Sequence, residues 1–161
     1  MSQDKDFEAI RQLKYRYGRC VDLRDYAALE EMLTADYVWE YSPHDDPGKL
    51  LVRTRQENFD FMKEKFVPEL IAQHHMHHPE LEITGDGMAE GTWYLEYFSC
   101  NVKTRQTARG TALYFDRYAK EGGVWKIART RYRVIYRIEE PLADAARVTV
   151  HYHGWATAQK K

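Results

Sequence analysis

HHMHHPELEI (74–83), AEGTWYLEYFSC (89–100), TARGTALYFDRY (107–118) and VWKIARTRYRVIYRI (124–138) decide the fold. The last three runs are dense in aromatic and β-branched residues, and all four read as long strands. Gly85-Asp-Gly87 and Glu121-Gly-Gly123 are tight hairpin signals between two of the pairs. The connection around Asn101–Arg105 reads as a third hairpin. Beyond Pro141, Val148-Thr-Val-His-Tyr152 is one more candidate strand, followed by a polar end.

Upstream of residue 73 the period changes. Phe7, Ile10, Leu13, Tyr17, Cys20 and Val21 recur at three- and four-residue steps, which predicts an amphipathic helix over 4–22. Asp25 reads as the cap of a second helix that buries Tyr26, Leu29, Met32 and Leu33. Residues 37–41 alternate as a strand, and residues 42–52, with two prolines and a glycine, read as a loop. Thr54-x-x-Glu57 is a capping box that opens a helix with Phe59, Met62 and Phe66 on its apolar face. Helices followed by an antiparallel sheet predict an α+β fold. A long curved antiparallel sheet that buries one face on N-terminal helices curls into a cone with an interior pocket. One domain over 1–161 is expected, with its core at 7–138 and a C-terminal extension at 139–161.

Formal net charge is −1, so no overall positive field gathers nucleic acid or an anionic membrane. The start of the chain lacks the basic and apolar run of a signal peptide, and no run is long enough to span a bilayer, so a cytoplasmic protein is expected. The two cysteines give no disulfide framework and no metal spacing. Aromatic residues make up 14%, including 12 tyrosines. Such a composition suits a pocket for a ring-bearing ligand, and equally a Tyr-rich sheet.

In a strand, His75 and His77 share a face and could chelate a metal; with no Cys or clear carboxylate pairing to complete a set, no metal is expected. Pro79 invites a bulge that would change the parity, which makes His77 an alternative to His74 as a pocket base. Trp93 and Tyr97 share one strand face, as do Trp39 and Tyr41; these four read either as a substrate-binding floor or as ordinary sheet core. Arg129, Arg131, Arg133 and Arg137 alternate with Thr130, Tyr132, Val134 and Tyr136. Four arginines on one face usually make a solvated exterior, but Arg131 could reach the cone mouth and bind an anionic substrate group; Tyr136, among the alternating residues, is a further candidate substrate-binding residue. No nucleophile elbow, phosphate loop or dinucleotide fingerprint occurs, so no cofactor is expected and the chemistry falls to side chains alone.

Three pieces carry a family resemblance: Leu13-Lys-Tyr-Arg-Tyr17-Gly-Arg-Cys-Val-Asp22 with Tyr26-x-x-Leu29-x-x-Met32-Leu33; His74 to Ile83; and Gly91-Thr-Trp-Tyr-Leu95 with Gly110 to Tyr118 and Gly123-Val-Trp-Lys-Ile127. Over residues 7–138 the chain resembles the SnoaL-like branch of the nuclear transport factor 2-like superfamily. It is most similar to the bile acid 7α-dehydratases and more loosely to scytalone dehydratase and hexachlorocyclohexane dehydrochlorinase. The resemblance implies that Asp22 orients His74, which moves the proton, with Tyr17 nearby. It departs at Tyr97, where the bile acid enzymes carry an acid, and at Val134, where they carry an arginine. The expected activity is a cofactor-independent lyase, a dehydratase or a formaldehyde-releasing retro-aldol enzyme, acting on a hydroxylated polycyclic or multi-aromatic small molecule. The alternatives are an enone or dienone isomerase, a small-ligand-binding module without catalysis, and a small subunit of an oxygenase. A homo-dimer or homo-trimer is expected.

Overall fold

The computed structural model describes residues 3–43, 46, 48–149 and 151–152. Three helices precede or interrupt a six-stranded sheet: α1 Gln3–Leu23, α2 Tyr26–Met32, β1 Leu33–Tyr41, β2 Leu51–Thr54, α3 Arg55–Lys65, β3 Leu70–Gly85, β4 Met88–Asn101, β5 Gln106–Glu121 and β6 Val124–Pro141. The sheet runs β2-β1-β6-β5-β4-β3 and is curved and unclosed. All neighbours are antiparallel except β1 and β6, which run parallel.

Most expected boundaries hold within a few residues. One segment differs: the loop read over 42–52 ends in a short edge strand, β2, which pairs with β1 from Val38 opposite Thr54 to Tyr41 opposite Leu51. The Pro and Gly signals masked four residues whose strand character comes from pairing. The tail strand read at 148–152 is not formed at Val148, Thr149 or His151, and Val150 lies outside the described residues.

The core lies between the concave sheet face and α1, with Ile10, Leu29, Leu33, Trp93, Leu95, Ala112, Tyr118 and Ile127 almost wholly buried. Gly110 is fixed by this packing. A Cβ there would sit 2.3 Å from the Tyr136 carbonyl oxygen and 2.7 Å from the Tyr97 hydroxyl, so only hydrogen lets β5 pass between them.

A charged group lies deep in the core. Lys14 is fully buried on the inner face of α1, and its Nζ stands 2.7 Å from Asp116 Oδ2. Asp116 also accepts hydrogen bonds from Tyr118 at 2.8 Å and from Thr130 at 2.8 Å. Trp93 Nε1 in turn donates to the Tyr118 hydroxyl at 2.9 Å. Burial lowers the Lys14 pKa, with Asp116 opposing it.

Candidate active site

Helix α1 ends at Leu23 and is followed by Arg24, a non-glycine residue in the left-handed region (φ 57). The side chain of Arg24 donates to the carbonyls of Val67, at 2.7 Å, and Leu70, which ties this corner to the start of β3. The two aspartates beside it divide their roles. Asp25 caps α2, accepting from the Ala28 N–H at 3.1 Å. Asp22 is thereby free of capping and turns to β3. Its Oδ2 accepts the backbone N–H of His74 at 3.0 Å, and its Oδ1 lies 2.5 Å from His74 Nδ1. One carboxylate thus holds both the main chain and the ring of the histidine, and the ring's Nε2 is left for other partners.

His74 lines a cavity of about 500 Å³. α1 contributes Tyr17 and Val21; α3 contributes Asn58, Phe61 and Met62; β1 contributes Trp39 and Tyr41; Tyr114 and Tyr132 come from β5 and β6. The volume falls within the range of small-molecule sites, roughly 300–1,000 Å³. One wall is a stack: Trp39 and Tyr41 lie 4.3 Å apart at 11°, and Phe61 packs on both. Arg53 of β2 closes this wall from behind, 4.3 Å from the Phe61 ring and donating to the Tyr41 hydroxyl at 2.7 Å. Behind Tyr114 and Tyr17 sits the Lys14 ammonium, 3.7 Å and 4.9 Å from their ring centroids. Burial first, and then the Asp116 charge, push the Tyr17 hydroxyl far above its usual range, so it stays protonated and can donate.

Tyr17, Asp22, His74, Trp39 and Tyr41 therefore come together as the sequence suggested. Four other expectations need correction. Trp93 is wholly buried in the core, edge-on to Tyr15, and does not line the cavity. Tyr97 is buried behind His74, their ring centroids 6.3 Å apart, and does not line it either. Arg131 points to the opposite sheet face, where its Nε donates to Glu40 at 2.6 Å; Arg129 binds the same carboxylate. Tyr136 is also on the far face and half exposed. The cause is a bulge in β6: Ala112 pairs with Val134 and Thr111 with Tyr136, so Ile135 is an extra residue. The bulge reverses the alternation, sends Tyr136 out and brings Arg137 in, where Arg137 reaches the Tyr97 hydroxyl at 3.3 Å.

The β3 bulge arises as the His-His-Pro run suggested, between His77 and Glu80, with His78 at φ 46. It begins after His77, so the parity of His77 is unchanged. His77 faces away from Asp22, beside His75 and Glu96, and is not a pocket base.

The model of the SnoaL-like domain matches residues 4–131. The chain belongs to the SnoaL-like domain family. Among solved structures, this SnoaL-like chain is similar to the hexachlorocyclohexane dehydrochlorinase LinA-type3 of Novosphingobium barchaimii, with 20% identity, TM-score 0.73 and 91% of this chain and 96% of that chain covered. A protein of Novosphingobium aromaticivorans named as a candidate scytalone dehydratase gives 17% identity and TM-score 0.74 over 91% and 95% of the two chains. Rv3472 of Mycobacterium tuberculosis, described as of unknown function, gives 21% identity and TM-score 0.67 over 82% and 73%. At these identities the likeness shows the fold, and what this SnoaL-like domain does must be argued from its own pocket.

Proposed function

We propose that this SnoaL-like protein is a cofactor-independent lyase for a hydroxylated polycyclic or multi-aromatic small molecule. The observation that carries the proposal is the Asp22–His74 pair at the wall of an aromatic cavity. An ionised Asp22 accepting the Nδ1–H leaves the Nε2 lone pair as the base. Nε2 takes a proton from carbon, the electron pair forms the C=C bond, and the C–O bond breaks. The leaving oxygen takes its proton back from the imidazolium, with Tyr17 donating a hydrogen bond to the oxygen that gains charge. For a retro-aldol substrate the same base takes the hydroxyl proton, the C–C bond breaks with loss of formaldehyde, and a ring-stabilised carbanion is reprotonated. Asp22 stabilises the imidazolium in either case. The stacked wall of Trp39, Tyr41 and Phe61 suits flat rings, and neighbours of this fold are named as a dehydrochlorinase and a candidate dehydratase.

The test is a cofactor-free incubation read by mass spectrometry, with a chelator present. Hydroxysteroids, hydroxylated polyketides and diaryl propanediols are offered to the wild type and to His74→Ala. Loss of water or formaldehyde by the wild type alone is expected. Full activity in His74→Ala overturns the proposal. Mass-neutral conversion would replace it with an isomerase, and recovery of a tightly bound, unchanged ligand with a binding module.

A further inference from the structure

On the face of the sheet opposite the pocket, His75 and His77 stand two residues apart on β3, so their side chains project together. Strand pairing sets Glu96 of β4 directly across from His75 and diagonal to His77. One ligand atom from each of the three residues lies within 4.8 Å of the other two. His77 Nε2 is 3.7 Å from Glu96 Oε2, too far for a hydrogen bond. Buried though it is, that nitrogen has no hydrogen-bond partner among the described residues. The imidazole rings of His75 and His77 are 5.9 Å apart at 76°, splayed rather than stacked.

We infer that His75, His77 and Glu96 form a binding site for a single divalent transition-metal ion of the zinc class. Two neutral imidazoles and a carboxylate are a ligand set zinc takes readily, with the fourth position open to water. Ligand atoms held at about 2.0–2.2 Å by a tetrahedral ion stand roughly 3.4 Å from one another. The His77–Glu96 separation is already near that value, and small rotations of the exposed His75 and Glu96 side chains close the rest. The orphaned His77 nitrogen gains its partner when the ion binds. The β3 bulge begins directly after His77, so the register that aligns the three residues is kept up to the last ligand. His-x-His alone has no third donor; the β3–β4 pairing supplies it. The site is separate from the pocket, because His74 projects to the other face.

Titration of the tag-free, metal-stripped protein with zinc chloride tests this, by calorimetry and by competition with a chromophoric chelator. Cobalt chloride serves as a spectroscopic probe of tetrahedral coordination. The expected result is one ion per chain, weakened about tenfold or more in Glu96→Gln and on the order of 100-fold in the His75→Ala/His77→Ala double variant. His78→Asn, which keeps a residue tolerant of positive φ next to the site, should bind as the wild type does. Saturating zinc should raise the melting temperature of the wild type and not of the double variant. Circular dichroism of each metal-free variant checks that the fold is kept. Absence of stoichiometric zinc binding by the wild type, or equal affinity in the double variant, overturns the site. Neither result bears on the His74 reaction, which is read by product mass.

Discussion

Asp22 and Asp25 show how little separates a cap from a site residue. Asp22 stands in the last turn of α1 and Asp25 just beyond it, and residue type alone cannot tell them apart; the N–H of Ala28 claims one and His74 claims the other. On the proposed mechanism, Asp22→Asn should lower kcat on the order of 10²–10⁴-fold with KM little changed, because an amide no longer fixes the imidazole tautomer. Steady-state kinetics with the identified substrate checks this, and a large rise in KM with kcat intact would count against it. Lys14 falls four residues after Ile10 and three before Tyr17, on the apolar stripe of α1, so its position was legible as buried; only its charge argued for solvent. Lys14→Met should cost about 3 kcal/mol or more in urea unfolding, because the buried Asp116 carboxyl loses its closest countercharge. A loss below about 1 kcal/mol would mean that the Tyr118 and Thr130 hydrogen bonds suffice for Asp116.

Among the elements, α3 was legible as a helix from its capping box, and both reciprocal hydrogen bonds are formed. Its contribution to the pocket was not legible. Asn58, Phe61 and Met62 meet the cavity because of how the helix lies on β1, and helical periodicity marks a buried face without saying what that face meets. Thr54→Ala should destabilise the protein by about 1 kcal/mol and raise KM more than it lowers kcat, since it loosens the wall and leaves the Asp–His pair alone. Thermal melts and kinetics read the two effects separately. In β6 the arginine ladder was visible, but the extra residue at Ile135 was not, because nothing in Arg-Val-Ile-Tyr-Arg marks a bulge. The ladder's outer half staples the parallel β1–β6 seam: Arg129 and Arg131 of β6 both bind Glu40 of β1. Burial raises the pKa of Glu40, but the two guanidinium hydrogen bonds outweigh it, and the net shift is down. A depressed carboxylate contributes stability that is complete above the unfolded value of 4.5 and is lost as pH falls through the folded one. Glu40→Gln should therefore be less stable than the wild type at neutral pH, and the gap should close as pH falls below 4.5 and through the depressed folded value. Denaturant midpoints across pH 3–8 check this, and a gap that persists unchanged in acid would contradict it.

At the scale of the molecule, the order of helices and strands apart from β2 and the tail, the three hairpins and the curved α+β architecture could be read from the chain, because each rests on local period and turn chemistry. The parallel pairing of β1 with β6 could not, since no local signal links segments so far apart. That pairing also sets an order of events in synthesis. Val38 lies beside Arg129, about 90 residues later in the chain. At roughly 5–20 residues per second, β1 leaves the ribosome on the order of 5–20 seconds before its partner exists. During that interval β2 can cover one edge of β1, while the other edge, with Trp39 and Tyr41 beside it, waits uncovered. The last strand made is therefore the one that completes the cavity, and any nascent chain stalled before residue 124 presents a sticky, aromatic strand edge to whatever is nearby.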